Sequence, residues 1–219
     1  MRIAIVGSGG VGAYVGSRLQ AAGEDVSFVA RGAHLEAMRR DGLKIESPAH
    51  PLHLPSVNAS ENPSDIGPVD LIIFAVKLGD TEAAARALGP MIEEQTRILT
   101  LQNGIDSVGM IAPHVAGAQV RGGVIYVSAV IDRPGVIRSP GGLHMIVADA
   151  AKGDPVMVEF FGACARYSAG REGDRRHRYC HLGEIHRLDR AFGFNVVAAC
   201  KHGPDTGACR NPTVSASTH

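Results

Sequence analysis

The run Gly7-Ser8-Gly9-Gly10-Val11-Gly12 constrains this chain more than any other. It follows a short apolar stretch rich in β-branched residues, Arg2 to Val6, and precedes Tyr14, Val15, Ser17, Arg18, Leu19 and Ala22, whose spacing is helical. Between a strand and a helix, Gly-x-Gly-x-x-Gly becomes a dinucleotide-binding fingerprint. Gly7 then permits the tight turn, Gly9 lets the backbone approach a pyrophosphate, and Gly12 lets helix and strand pack closely, with Ser8, Gly10 and Val11 completing the loop. The positive end of the helix dipole stabilises the phosphate charge. A purely structural glycine turn is the alternative, and the position at the start of a βαβ unit weighs against it.

The rest of the chain keeps the same alternation. Asp25 to Ala30 reads as a strand and Ala33 to Arg40 as a helix, with His34 and Glu36 near its start. Leu43 to Glu46 and Leu52 to Leu54 read as short strands or an excursion, and Val69 to Val76 as a strand buried on both faces because its apolar character is unbroken. Thr81 to Met91 is expected to be helical, Arg97 to Leu101 a strand and Asp106 to Ile111 a short helix. Val120 to Val130, Gly135 to Ile137 and Leu143 to Val147 add strands, and Pro155 to Ala165 a helix. The expected fold is α/β, a doubly wound Rossmann-type parallel sheet over residues 1–167. Residues 168–219 differ: Arg171 to Arg190 holds six arginines and three histidines without a helical or strand period, and reads as an irregular or disordered tail.

Lys plus Arg and Asp plus Glu both number 22, so no strong field favours nucleic acid or an anionic membrane, and a small molecule is the expected partner. The longest apolar runs are of strand length, far short of the roughly 20 residues a membrane span needs. The N-terminus has no signal-peptide cleavage site, and the four cysteines, Cys164, Cys180, Cys200 and Cys209, form no disulfide framework, so a cytoplasmic location is expected. His177, Cys180, His181 and His186 have a loosely ligand-like spacing, but no Cys-x-x-Cys pair or His-Glu-x-x-His helix supports them, and no metal is expected.

In NAD enzymes the second strand ends in an acid that accepts the ribose hydroxyls, whereas here Val29-Ala30 leads into Arg31. A guanidinium at that place pairs with a 2′-phosphate, so NADP is the expected cofactor. Lys77 and Asn103 each follow a strand and fall at the carboxyl edge of the sheet, where open α/β folds bind ligands. The plainer readings are a surface arginine, a solvated strand end at Lys77 and a turn at Asn103-Gly104.

Together Gly-x-Gly-Gly-x-Gly at 7–12, Ala30-Arg31-Gly32, Val76-Lys77, Leu101-Gln102-Asn103-Gly104 and Pro134-Gly135-Val136-Ile137 resemble the ketopantoate reductase (2-dehydropantoate 2-reductase) family, from Met1 to about Ala165. The resemblance implies a reductase in which NADPH delivers hydride to the C2 ketone of 2-dehydropantoate, a 2-keto acid, in pantothenate biosynthesis. It implies that Gly7 to Gly12 form the pyrophosphate loop, that Arg31 contacts the 2′-phosphate, and that Lys77 and Asn103 touch the cofactor or substrate edge. It also implies a following helical domain that opens with a Trp-x-Lys helix, whose lysine protonates the forming alkoxide. This chain has no tryptophan, and neither Lys152 nor Lys201 has that setting, so no catalytic residue is assigned. A non-catalytic NADP(H)-binding remnant and another 2-keto acid Rossmann reductase are the alternatives, and oligomeric state is left open.

The tail becomes legible when it is back-translated and shifted by one base. From Asp174 onward its codons can then encode Ile-Asp-Asp-Ile-Val-Thr-Ala-Ile-Trp-Glu-Lys-Phe-Ile-Ala-Leu-Thr-Ala, an amphipathic helix carrying Trp-x-Lys, and Cys200 to Gly207 can encode Ala-Ser-Met-Gly-Pro-Ile-Arg-Glu. Glu184 followed by Ile185 can shift only to lysine or arginine. A one-base slip between about Arg166 and Arg175 is the expected origin of the tail.

Overall fold

The computed structural model describes residues 1–48, 50–103, 106–140, 145–148 and 154–169. The chain opens with β1 (Arg2–Val6), α1 (Gly10–Ala21), β2 (Asp25–Val29) and α2 (Gly32–Asp41). It continues through β3 (Leu43–Glu46), β4 (Leu52–Leu54), β5 (Asn58–Ser60), β6 (Leu71–Phe74), α3 (Thr81–Arg86), β7 (Arg97–Thr100) and α4 (Ser107–Ile111). It closes with β8 (Gln119–Tyr126), β9 (Val130–Arg133), β10 (Val136–Arg138), β11 (Met145–Ala148) and α5 (Pro155–Ala169).

The main sheet runs β11-β8-β7-β6-β1-β2-β5, and every neighbouring pair is parallel except β11 with β8. Leaving out β11, the strand order reverses between β1 and β6, as in a doubly wound dinucleotide-binding sheet. The central strands are covered on both faces. Along β1, Ile3 and Ile5 enter one core with α1 and α5, while Ala4 and Val6 enter the other with α3 and α4. On β6, Leu71 and Ile73 face the first core and Ile72 and Phe74 the second. Two buried faces explain why these strands read as unbroken apolar runs rather than as alternation.

Several expected boundaries move. The strand expected over Val69 to Val76 contracts to β6, and the helix expected over Thr81 to Met91 ends at Arg86, with a 3-10 turn at Gly89–Met91. Pro90 has no N–H to continue an α-helix and restricts the residue before it. The single strand expected over Val120 to Val130 divides into β8 and β9. β3 and β4 form as expected and pair antiparallel, and β3 also pairs parallel with β10, which gives a second sheet of order β4-β3-β10-β9. The expected tail lies outside the described residues from 170 onward.

α5 is fixed beneath the amino ends of β7 and β8 by Asp154. Its Oδ2 accepts from Arg97 Nε at 2.8 Å and Arg121 Nη2 at 3.3 Å, and its Oδ1 accepts from Val156 N at 3.2 Å and Met157 N at 3.5 Å. An aspartate followed by Pro155 at the first helical position is a strong N-terminal signal. Met157, Phe160 and Ala163 then carry α5 into the core that it shares with α1. At the other end of β8, Val124 and Tyr126, with Val130 and Ile131 of β9, remain exposed.

Candidate functional site

The sheet order β2-β1-β6-β7 sets the predicted residues in one row along the carboxyl edge. Arg31 follows β2, Gly7 to Gly12 follow β1, Lys77 follows β6 and Asn103 follows β7. Neighbouring strands lie about 4.8 Å apart, so the row crosses the point where the sheet reverses, which is where such sheets bind ligands.

The glycines of the turn differ from one another in geometry. Gly7 has φ +92°, and a Cβ there would stand 2.6 Å from Val76 N and 2.8 Å from Ala75 O, so the turn presses against the end of β6. A Cβ on Gly12 would collide with the Gly7 carbonyl oxygen and lie 3.0 Å from Ile5 Cγ2, which accounts for the close approach of α1 to β1. At Gly9 nothing lies within 4 Å, so the turn opens onto free space at the start of the helix. Gly10 behaves unexpectedly. Its Cβ would overlap the Ala129 carbonyl and lie 2.8 Å from Val130 Cα, because the chain between β8 and β9 crosses the first turn of α1.

The start of α1 is an uncapped set of donors. Gly9 supplies no side chain, the first turn carries no acid, and Ala13 N is the first amide to bond back, to Gly9 O at 2.9 Å. The amides of Gly10, Val11 and Gly12 therefore have no acceptor within the helix. The buried Ser8 is already committed: its amide donates to Val29 O at 3.1 Å and its hydroxyl to Ile5 O at 3.4 Å, tying the turn to β2.

Lys77 and Asn103 are exposed, and the segments that carry them are joined by the buried Gln102. Gln102 Nε2 donates to Val76 O at 3.0 Å and to Thr81 Oγ1 at 2.8 Å, while its Oε1 accepts from Thr100 Oγ1 at 3.3 Å. One amide thus locks the ends of β6 and β7 and the start of α3 together. Arg31 stands at the N-terminus of α2 with Nη2 3.5 Å from Asp80 Oδ2, a partner with no sequence signal of its own. Residues 104–105, which complete the Asn103 turn, lie outside the described residues.

His34, near the start of α2, is the other group that sequence reading left without a role. Its Nδ1 accepts from Gly135 N at 3.1 Å, linking the glycine turn's surroundings to the β9-β10 hairpin. Burial holds its pKa below the ordinary value, opposed by the backbone of Ser8. As pH falls, the unfolded chain takes up this proton first, so the stability contributed is present above about pH 6.5 and lost as pH falls toward the folded value. The urea midpoint is expected to drop from about pH 7 to about pH 5.5, and His34→Gln is expected to flatten that drop. Equal slopes in the two proteins would contradict it.

Among the described residues, no group of three or more His, Cys, Asp or Glu could hold a metal ion, and no helix is long and apolar enough to cross a membrane. His177, Cys180, His181 and His186 lie outside the described residues.

Residues 3–152 match the family model described as ketopantoate reductase PanE/ApbA. The 2-dehydropantoate 2-reductase of Halobacterium salinarum is 34% identical over 143 residues, covering 65% of this chain and 47% of that protein. That of Mesorhizobium japonicum is 31% identical over 159 residues, covering 63% and 48% respectively. The crystal structure of 2-dehydropantoate 2-reductase from Geobacter metallireducens superimposes with a TM-score of 0.70 at 32% identity, over 76% of this chain and 56% of that one. The chain spans about half the length of the curated relatives it matches.

Proposed function

The chain belongs to the PanE/ApbA ketopantoate reductase family, and from that premise we propose that residues 1–167 bind NADP(H) along the carboxyl edge of the sheet, the parent enzyme reducing 2-dehydropantoate, a 2-keto acid. The observation that carries this reading is the uncapped start of α1 opening onto free space at Gly9. Three amides without acceptors, with no acid in the first turn, suit a pyrophosphate. Arg31 pairs with the 2′-phosphate at the adenosine end, and Lys77 and Asn103 face the cofactor or substrate at the other side of the reversal point. The bound nicotinamide supplies the hydride. The protein's remaining task is to orient the ketone and to deliver a proton to the developing alkoxide.

That proton donor is what the chain lacks. With no tryptophan, and with Lys201 the sole lysine of residues 168–219, nothing matches the family's Trp-x-Lys helix. The chain as given is an NADP(H)-binding protein without turnover, and a one-base slip near Arg166 to Arg175 accounts for it. The test is NADPH oxidation with 2-dehydropantoate, run on this chain and on one expressed after the base is restored. No turnover is expected from the first and robust turnover from the second. Turnover by the chain as given would overturn the account of the missing lysine, and an inactive restored chain would overturn the slip.

A further inference from the structure

The Arg31 guanidinium has a competitor. Asp80 Oδ2 lies 3.5 Å from Arg31 Nη2, reaching from the turn after β6 across the end of β1 to the end of β2. Both side chains are largely exposed, 71% for Arg31 and 53% for Asp80. A pair so open to water is screened and weak, and holds the arginine without immobilising it.

The carboxylate itself sits on a firm base. Asp80 N donates to Lys77 O at 2.9 Å, Thr81 Oγ1 donates to Leu78 O at 2.7 Å, and Thr81 Oγ1 accepts from the buried Gln102. The turn that presents Asp80 is thereby fixed to β7, while the arginine it pairs with is the more exposed of the two. At a ribose edge the two groups prefer different ligands. A guanidinium binds a 2′-phosphate, whereas a carboxylate accepts from a 2′-hydroxyl and repels a 2′-phosphate.

We propose that Asp80 is a specificity-determining residue that weakens this site's discrimination in favour of NADPH over NADH, by drawing Arg31 from the 2′-phosphate and by offering the ribose hydroxyls of NADH an acceptor. The proposal rests on the reading of this edge as a nicotinamide dinucleotide site. A lone arginine after β2 points to NADP, and Asp80 restores, from the turn after β6, the acid that the end of β2 lacks.

The test is titration of the full chain with NADPH and, separately, with NADH, read from the emission of the reduced nicotinamide, which no tryptophan of the protein obscures. Removing the unit negative charge that stands 3.5 Å from Arg31 is expected to raise the ratio of the NADH to the NADPH dissociation constant by about tenfold in Asp80→Asn. Asp80→Ser, which keeps an oxygen at the N-terminus of α3, moves the ratio in the same sense, and Arg31→Leu lowers it. A ratio that changes by less than about threefold in both Asp80 variants overturns the role of Asp80 and leaves the site intact. If neither nucleotide binds the unaltered chain, the reading of the site falls, and this inference with it.

Discussion

Replacing Asp154 with alanine is expected to lower the unfolding free energy by about 3–5 kcal/mol, the usual cost of leaving a buried ion pair without one partner. The carboxylate is 3% exposed and faces two guanidinium groups, 10% and 15% exposed, so its removal leaves Arg97 and Arg121 facing each other with less compensation and strips α5 of its cap. Urea unfolding measures the loss. Adding Arg97→Met to the alanine variant should recover part of it, because one of the two guanidinium charges that faced Asp154 is then gone. Burial by itself raises the Asp154 pKa, but the Arg97 hydrogen bond and charge, the Met157 amide and Arg121 outweigh it and hold the group below its ordinary value. The unfolded chain therefore binds this proton first as pH falls. The stabilisation is present above about pH 3.9 and lost as pH drops through the folded value. Asp154→Asn should remove that part of the acid limb, and a loss under about 1 kcal/mol in the alanine variant would show that α5 is not anchored there.

The second large effect separates two glycines of one turn. Gly12→Ala places a Cβ on the Gly7 carbonyl oxygen, a backbone atom that cannot yield without lifting α1 off β1. Overpacking of this kind costs about 1–3 kcal/mol, and the displaced helix start should weaken NADPH binding by about a hundredfold. Gly9→Ala meets nothing within 4 Å in the protein, so its stability should stay within about 0.5 kcal/mol of the parent. Its new methyl occupies the space assigned to the pyrophosphate, and NADPH binding should fall at least about tenfold. Melting curves and binding isotherms of the two variants test this. A Gly9→Ala protein that binds NADPH like its parent would place the phosphates elsewhere.

The parts of the fold that were legible in the sequence are those in which burial writes itself into an apolar pattern. β1 and β6 lie at the centre of the sheet with both faces covered, so β6 carries no polar position and β1 only the exposed Arg2 at its start, and the glycine turn between β1 and α1 is marked by chemistry that only glycine allows. β5 was not legible. It spans three residues at the sheet edge and buries Ala59 and Ser60, too short and too polar to show a period. The second sheet joins β3 and β4 to strands far along the chain, a pairing that periodicity does not encode. In the site, the row of Arg31, the glycine turn, Lys77 and Asn103 followed from strand ends alone. The Asp80 partner of Arg31, the Gln102 lock and the chain crossing over Gly10 arise from approaches between distant segments, and sequence spacing is silent on those.

The central claim is that one edge of this sheet binds NADP(H), and backbone hydrogen exchange of the full chain with and without saturating NADPH tests it most directly. The account predicts slowed exchange at the amides of Gly9 to Gly12, with further protection next to Arg31 and Lys77 and at Asn103. Exchange unchanged at Gly9 to Gly12, or protection confined to the opposite edge of the sheet, would contradict it.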